Sequence, residues 1–214
     1  MTEISPNSGT STRNRLAQWL FNPFMFVAGL PALSAGFAII LISGFFCWLG
    51  STHFDGVLDC HIGLAAQWWI FPAEGLIDWI LLAIPLFFFG LIISKSSFRF
   101  IDVFGTQALA RWPYLITAVV MLPIANQKVS SYMIARLNQV QPVAAVNFTD
   151  IFIFALAMFV IILMIGWMVV LMYRAYSVSC NVKGPKAIVT FIIALIGAEI
   201  VSKFAVVWLL SNMR

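Results

Sequence analysis

Hydrophobic and polar positions in this chain do not alternate; they fall into long blocks. Apolar runs cover residues 24–49, 75–93, 151–173 and 187–210. A helix needs roughly 20 such residues to cross a hydrocarbon core of about 30 Å, so each of these blocks reads as a membrane helix. A further run, residues 113–125, would reach only about 20 Å by itself. Its helix is therefore predicted to begin earlier, near Thr106, which draws Gln107 and Arg111 into the membrane region. A bend is expected at Gly29-Leu30-Pro31, and Pro85 lies inside the second run.

The polar stretches separate these runs cleanly. Residues 1–12 are rich in Ser, Thr and Asn and are expected to be disordered. Residues 13–24 fit a short interfacial helix, with Arg13, Arg15 and Gln18 on one side and Leu16, Trp19 and Leu20 on the other. Residues 1–23 thus form a preamble to a single transmembrane domain over 24–214. A cleaved signal is disfavoured, because the first apolar run far exceeds a signal core of about 7–15 residues. Between the third and fourth runs, Val129, Met133, Leu137 and Val140 recur at helical spacing, which predicts an amphipathic helix ended by Gln141-Pro142. Asn147-Phe148-Thr149 matches the glycosylation acceptor pattern.

Composition agrees with a chain dissolved in lipid. It is 62% hydrophobic and 9% charged, and its mean hydropathy is +1.00, whereas soluble domains carry about 25% charged residues. The placement of the cations adds orientation. Arg13 and Arg15 precede the first run; Lys95, Arg99 and Arg111 lie between the second run and the third; Arg174, Lys183 and Lys186 lie between the fourth and the fifth. Against them stand only Lys128, Arg136 and Arg214, with Lys203 inside the fifth run. Because Lys and Arg accumulate on the cytoplasmic side, this pattern predicts an all-α polytopic protein with five transmembrane helices, a cytoplasmic N-terminus and an outside C-terminus. The expected location is a cell membrane, the inner one in a bacterium.

Candidate chemistry centres on the first outer loop. His53, Asp55, Asp59 and His61 are ligand types for a divalent metal such as zinc. A regular helix would set Asp55 and Asp59 about 40° apart and the two histidines about 80° apart, pointing in different directions. A strand would spread the four over about 26 Å. Convergence therefore requires a break at Gly56 or help from Glu74 and Asp78. Otherwise the stretch is a solvated acidic loop in which Thr52 or Asp55 caps a helix. Trp68-Trp69 fits an interfacial aromatic belt.

Polar residues inside the runs are the remaining candidates. Arg99, Asp102, Gln107 and Arg111 form a seam toward the inner ends of the second and third runs, with an Arg–Asp pair as its simplest content. Glu199 and Lys203 share a helix face and are expected to pair locally, with a coupling carboxylate as the sharper alternative. Asp78 is a second carboxylate for a hydrated path. Cys47, Cys60 and Cys180 read as free thiols, since Cys60 and Cys180 should lie on opposite sides of the bilayer. No Walker loop, nucleophile elbow or HExxH motif occurs, and the dispersed cations argue against nucleic acid.

Asn22-Pro23-Phe24, the late segment Trp167…Tyr173…Lys186-Ala187, and the run from Arg99 through Phe104-Gly105-Thr106-Gln107 to Arg111 resemble the bacterial branch of the Yip (Ypt-interacting protein) membrane family. The resemblance covers residues 20–210. The Asp-Leu-Tyr-Gly-Pro motif and long N-terminal region of the eukaryotic members are absent. The resemblance implies an integral membrane protein without established catalysis and supplies no catalytic residues. Three functions are therefore expected in order. The first is a non-enzymatic protein acting through lipid or protein contacts, with Gly36, Gly90, Gly166 and Gly197 available for close helix packing or self-association. The second is a small proton- or metal-coupled transporter or channel subunit using Glu199, Asp78 and the His/Asp loop. The third is an outward-facing metalloenzyme. No cofactor is expected beyond the candidate divalent metal.

Overall fold

The computed structural model describes residues 8–63, 66–141 and 145–211. Of the expected disorder over 1–12, residues 1–7 lie outside the described ones, and the rest is corrected: helix α1 already runs Ser8–Phe21. Its end meets the body of the protein, where Trp167 Nε1 donates to the Leu20 carbonyl at 3.1 Å and Trp19 stacks on Phe26 with ring centroids 5.0 Å apart. A short 3-10 turn, Pro23–Met25, follows.

Four helices are long and apolar enough to cross a membrane: α2 (Gly29–Gly50), α3 (Ile70–Ile93), α7 (Phe148–Ser179) and α8 (Pro185–Ser211). The signals at their ends are local. The expected bend at Gly29-Leu30-Pro31 is instead the start of α2, where Gly29 takes φ +62° and Pro31 falls in the first turn, which has no use for its missing N–H. Ser51 closes α2 in a left-handed conformation, φ 49°. Asn147 and Asp150 form a reciprocal capping box at the head of α7, so Asn147 of the acceptor pattern serves first as a helix cap.

The third run is built from pieces. Helices α4 (Phe100–Leu109) and α5 (Pro113–Val120) follow one another through Arg111, and the chain then bends by 83° into α6 (Ile124–Leu137). The expected 106–125 helix is thus corrected at both ends: it begins earlier, at Phe100, and Pro123 turns the chain before Ala125. Helix α6 takes the place of the predicted amphipathic helix but stops at Leu137, short of Gln141, and of its expected apolar face only Val129 is buried, while Met133, Leu137 and Val140 are exposed.

Close packing sets the directions. A Cβ on Gly36 would lie 2.4 Å from the Ala108 backbone, and one on Gly105 would lie 2.5 Å from the Gly29 carbonyl, so α2 and α4 run side by side in the same direction. Gly44 approaches Pro72 and Gly75 approaches Ile40, so α3 runs back along α2. Gln107 bonded to Met172, with Thr106 bonded to Ser179, makes α7 antiparallel to α4. The bundle therefore has a Gly29 end and a Gly50 end. Its outer faces are apolar: Phe152, Ile162, Phe204 and Val207 are all exposed, as helix surfaces facing lipid must be.

At the Gly50 end, β1 (Thr52–His53) and β2 (His61–Ile62) pair antiparallel, with His53 opposite His61. Thr52 and Asp55 therefore cap no helix, contrary to the expectation above; α3 begins only at Ile70.

Candidate functional site

The loop between β1 and β2 is polar at its rim and apolar at its tip. Phe54 and Val57 are 3% and 0% exposed, so the tip is pushed into the bundle. A loop buried this way carries backbone groups that water cannot reach, and each needs a partner. Three helices supply them. Glu74 of α3 accepts from the Phe54 N–H at 3.1 Å and faces His53 Nδ1 at 2.7 Å. Glu199 of α8 accepts from the Leu58 N–H at 2.8 Å. The Tyr114 hydroxyl of α5 donates to the Val57 carbonyl and lies 3.3 Å from that of Gly56, while its ring stacks on Phe54 at 4.1 Å. A Cβ on Gly56 would lie 2.6 Å from Glu199 Oε1, so a larger residue there would have to move that carboxylate.

The outer rim carries the paired charges. Lys203 Nζ reaches Asp59 Oδ2 at 2.6 Å and Glu199 Oε1 at 3.5 Å, so the local pair expected on α8 exists and extends to the loop. Asp55 Oδ1 and His61 Nδ1 are 3.4 Å apart. This close pairing holds Asp55 below the ordinary carboxylate range and His61 above the ordinary imidazole range. Burial pushes the Cys60 thiol up, which keeps it protonated and unreactive.

Of the four expected metal ligands, three converge. Ligand atoms of Asp55, Asp59 and His61 lie within 4.8 Å of one another. His53 does not join them; it is buried against Glu74 and Phe71. Glu74 and Asp78 do not join them either. The donor set suits a divalent cation in kind, but the Lys203 ammonium already sits on Asp59 and would have to be displaced.

Below the loop tip lies a second group. Asp78 and Arg111 are 0% and 1% exposed, and neither carboxylate oxygen of Asp78 nor any guanidinium nitrogen of Arg111 has a hydrogen-bond partner among the described residues. Arg111, Glu74 and Glu199 are the charged groups near Asp78. Arg111 lies over the Tyr114 ring at 5.8 Å and borders a cavity of about 10 Å³ beside Ser43, just large enough for one water.

The expected seam divides accordingly. Arg99 and Asp102 form a bidentate pair at 2.9 and 3.0 Å at the Gly29 end. Gln107 instead donates to the Met172 carbonyl at 2.9 Å, and Arg111 belongs to the buried layer. Sequence reasoning missed Tyr114 as a loop anchor. The available signal was the placement of Phe54, Val57 and Leu58 inside an otherwise polar loop, which marks a buried tip.

No protein-family model, curated protein or solved structure matches this chain.

Proposed function

We propose that this chain is a five-span protein of the cell's inner membrane that works without catalysis, through lipid and protein contacts, as the Yip resemblance implies. The observation that carries this reading is the use made of the polar side chains around the loop. Glu74, Glu199, Tyr114 and Lys203 are all engaged in holding the loop against the bundle. Groups spent on sealing the Gly50 end are poorly placed to bind and turn over a substrate.

The run Phe100–Val120, followed by the 83° bend, supports counting that segment as the fifth crossing. The alternating helix directions support it too. The cation excess at the Gly29 end supports a cytoplasmic N-terminus. Impermeant maleimide applied to intact cells tests this part. Trp68→Cys at the Gly50 end should label and Ser97→Cys at the Gly29 end should not; the reverse pattern, or equal labelling, sinks the topology. In-membrane crosslinking tests the contact role, and failure to recover any reproducible lipid or protein partner would count against it.

The unpartnered Asp78 and Arg111 favour one second reading, a proton-linked transporter or channel subunit. Buried ionisable groups in a membrane bundle commonly mark an ion pathway. On this reading the leading carboxylate is Asp78, since Glu199 anchors the loop. Proton flux in proteoliposomes that disappears in Asp78→Asn would establish it; flux indistinguishable from empty vesicles would end it. A metal-coupled version would need divalent binding at Asp55, Asp59 and His61, measurable by equilibrium dialysis with zinc or manganese.

A further inference from the structure

The Gly29 end carries a pocket of about 600 Å³ lined by Ile93, Lys95, Asn181, Lys183 and Lys186. It lies where α3 ends and α8 begins. All three lysines are exposed, and none has an acidic partner among the described residues. The nearby Asp102 is already held by Arg99. Asn181 Nδ2 donates to Ser96 Oγ at 3.1 Å and ties the two rims together.

Deeper in the bundle, the same two helices form an apolar groove of about 350 Å³, lined by Leu81, Pro85 and Phe89 of α3 and by Ala194, Gly197 and Val201 of α8. Helical periodicity joins the two features. Phe89 of the groove and Ile93 of the pocket are i,i+4 neighbours on α3, and Lys186 of the pocket and Ile193 of the groove lie within about 20° of each other on α8. Gly197 leaves the floor open, since a Cβ there would meet nothing within 4 Å. From Lys186 to Val201 the seam runs about 22 Å at 1.5 Å per residue. One leaflet of a bilayer, headgroup included, is half of about 40–45 Å.

We propose that the α3–α8 seam binds one phospholipid with a net negative headgroup, the phosphate among Lys95, Lys183 and Lys186 and an acyl chain along Pro85, Phe89, Ala194 and Gly197. Charge complementarity decides the occupant. A transmembrane helix of a second copy would fill the apolar groove but leave three unpaired ammonium groups facing its end. A soluble anion would satisfy the lysines but leave the groove unused. This inference rests on the reading of the chain as membrane-embedded with its Gly29 end at a headgroup layer. The maleimide pattern tests that orientation, whereas binding in detergent tests the seam regardless of orientation.

The experiment uses the full chain purified in detergent, with phosphatidylglycerol, phosphatidylcholine or inorganic phosphate added, and reads bound lipid by native mass spectrometry and melting temperature. Phosphatidylglycerol should be retained at least tenfold over phosphatidylcholine. Each Lys→Gln change at 95, 183 or 186 should weaken it about fivefold, as expected for one cation at an anionic surface. Gly197→Leu should lower retention of both lipids while leaving the melting temperature without lipid unchanged. Millimolar inorganic phosphate should not displace the lipid.

Equal retention of the two lipids, or a triple Lys→Gln variant that binds normally, overturns the proposal. So does full displacement by phosphate, which would make the pocket a site for free anions. If Gly197→Leu dissociates a dimer and leaves lipid retention unchanged, a second copy occupies the seam and the proposal fails. Should a variant not fold, the unaltered protein still decides: its melting temperature must rise with phosphatidylglycerol and not with phosphatidylcholine.

Discussion

The two ends of the bundle treat charge in opposite ways. At the Gly50 end almost every charged side chain is engaged: Glu74 with His53 and Phe54, Glu199 with Leu58 and Lys203, Lys203 with Asp59, Asp55 with His61. At the Gly29 end Arg99 and Asp102 pair, but Lys95, Lys183 and Lys186 stand around an open pocket. The first arrangement closes a surface on itself and so contributes to stability. The second leaves charge available to a partner, and contributes little to the isolated fold. Burial explains the contrast. Leaving Glu74, 1% exposed, without its hydrogen bonds would be costly, whereas the exposed lysines are served by water until something anionic arrives.

Substitutions that leave both ends equally sensitive would erase this comparison. The largest effect is expected for Glu74→Ala, which takes the buried carboxylate away from His53 and from the Phe54 N–H; a loss of about 3–5 kcal/mol should appear in detergent unfolding, with faster alkylation of Cys60 as the loop loosens. Glu199→Ala, which orphans the Leu58 N–H and leaves Lys203 with Asp59 alone, should cost about 1–3 kcal/mol by the same measurement. Tyr114→Phe keeps the stack on Phe54 and removes only the hydroxyl, so about 1 kcal/mol is expected. At the other end, Lys183→Gln should change lipid-free unfolding by no more than about 0.5 kcal/mol. A loss there as large as that of Glu199→Ala would show that the Gly29 end is self-sealed after all.

The smallest effect concerns pH. His61 titrates above its ordinary 6.5 because of Asp55, so the stability from this pair is fully present below 6.5 and is lost as pH rises through the raised value. Asp55 titrates below its ordinary 3.8, so its share is present above 3.8 and is lost as pH falls through the lowered value. Melting temperature should therefore slip as pH climbs from 6.5 through the raised imidazole value and level off beyond it. His61→Asn should flatten that slope, and an unchanged slope would assign it to another group.

Several features were legible in advance because they depend on local pattern. The apolar runs, the amphipathic helix α6, the Arg99–Asp102 pair and the Glu199–Lys203 pair all follow from spacing along one helix, which is set by covalent geometry. The sites of broken helix were less legible. Pro113 and Pro123 fell inside the expected 106–125 helix, and only the tertiary structure shows that α4 and α5 continue each other while α6 departs by 83°. The loop resisted most. Its four ligand types suggested a metal, and nothing in the linear order told that His53 would be taken by Glu74, or Asp59 by Lys203.

By itself the sequence determined the solvent, the helices and the distribution of cations, because hydrophobicity and helical period are properties of short segments. Which polar groups meet was decided only by tertiary structure. Glu74, Tyr114 and Glu199 lie on three different helices, and they converge on one loop tip because the burial of Phe54 and Val57 makes its backbone require them. The three lysines of the opposite end likewise become one pocket only when the end of α3 is laid beside the start of α8.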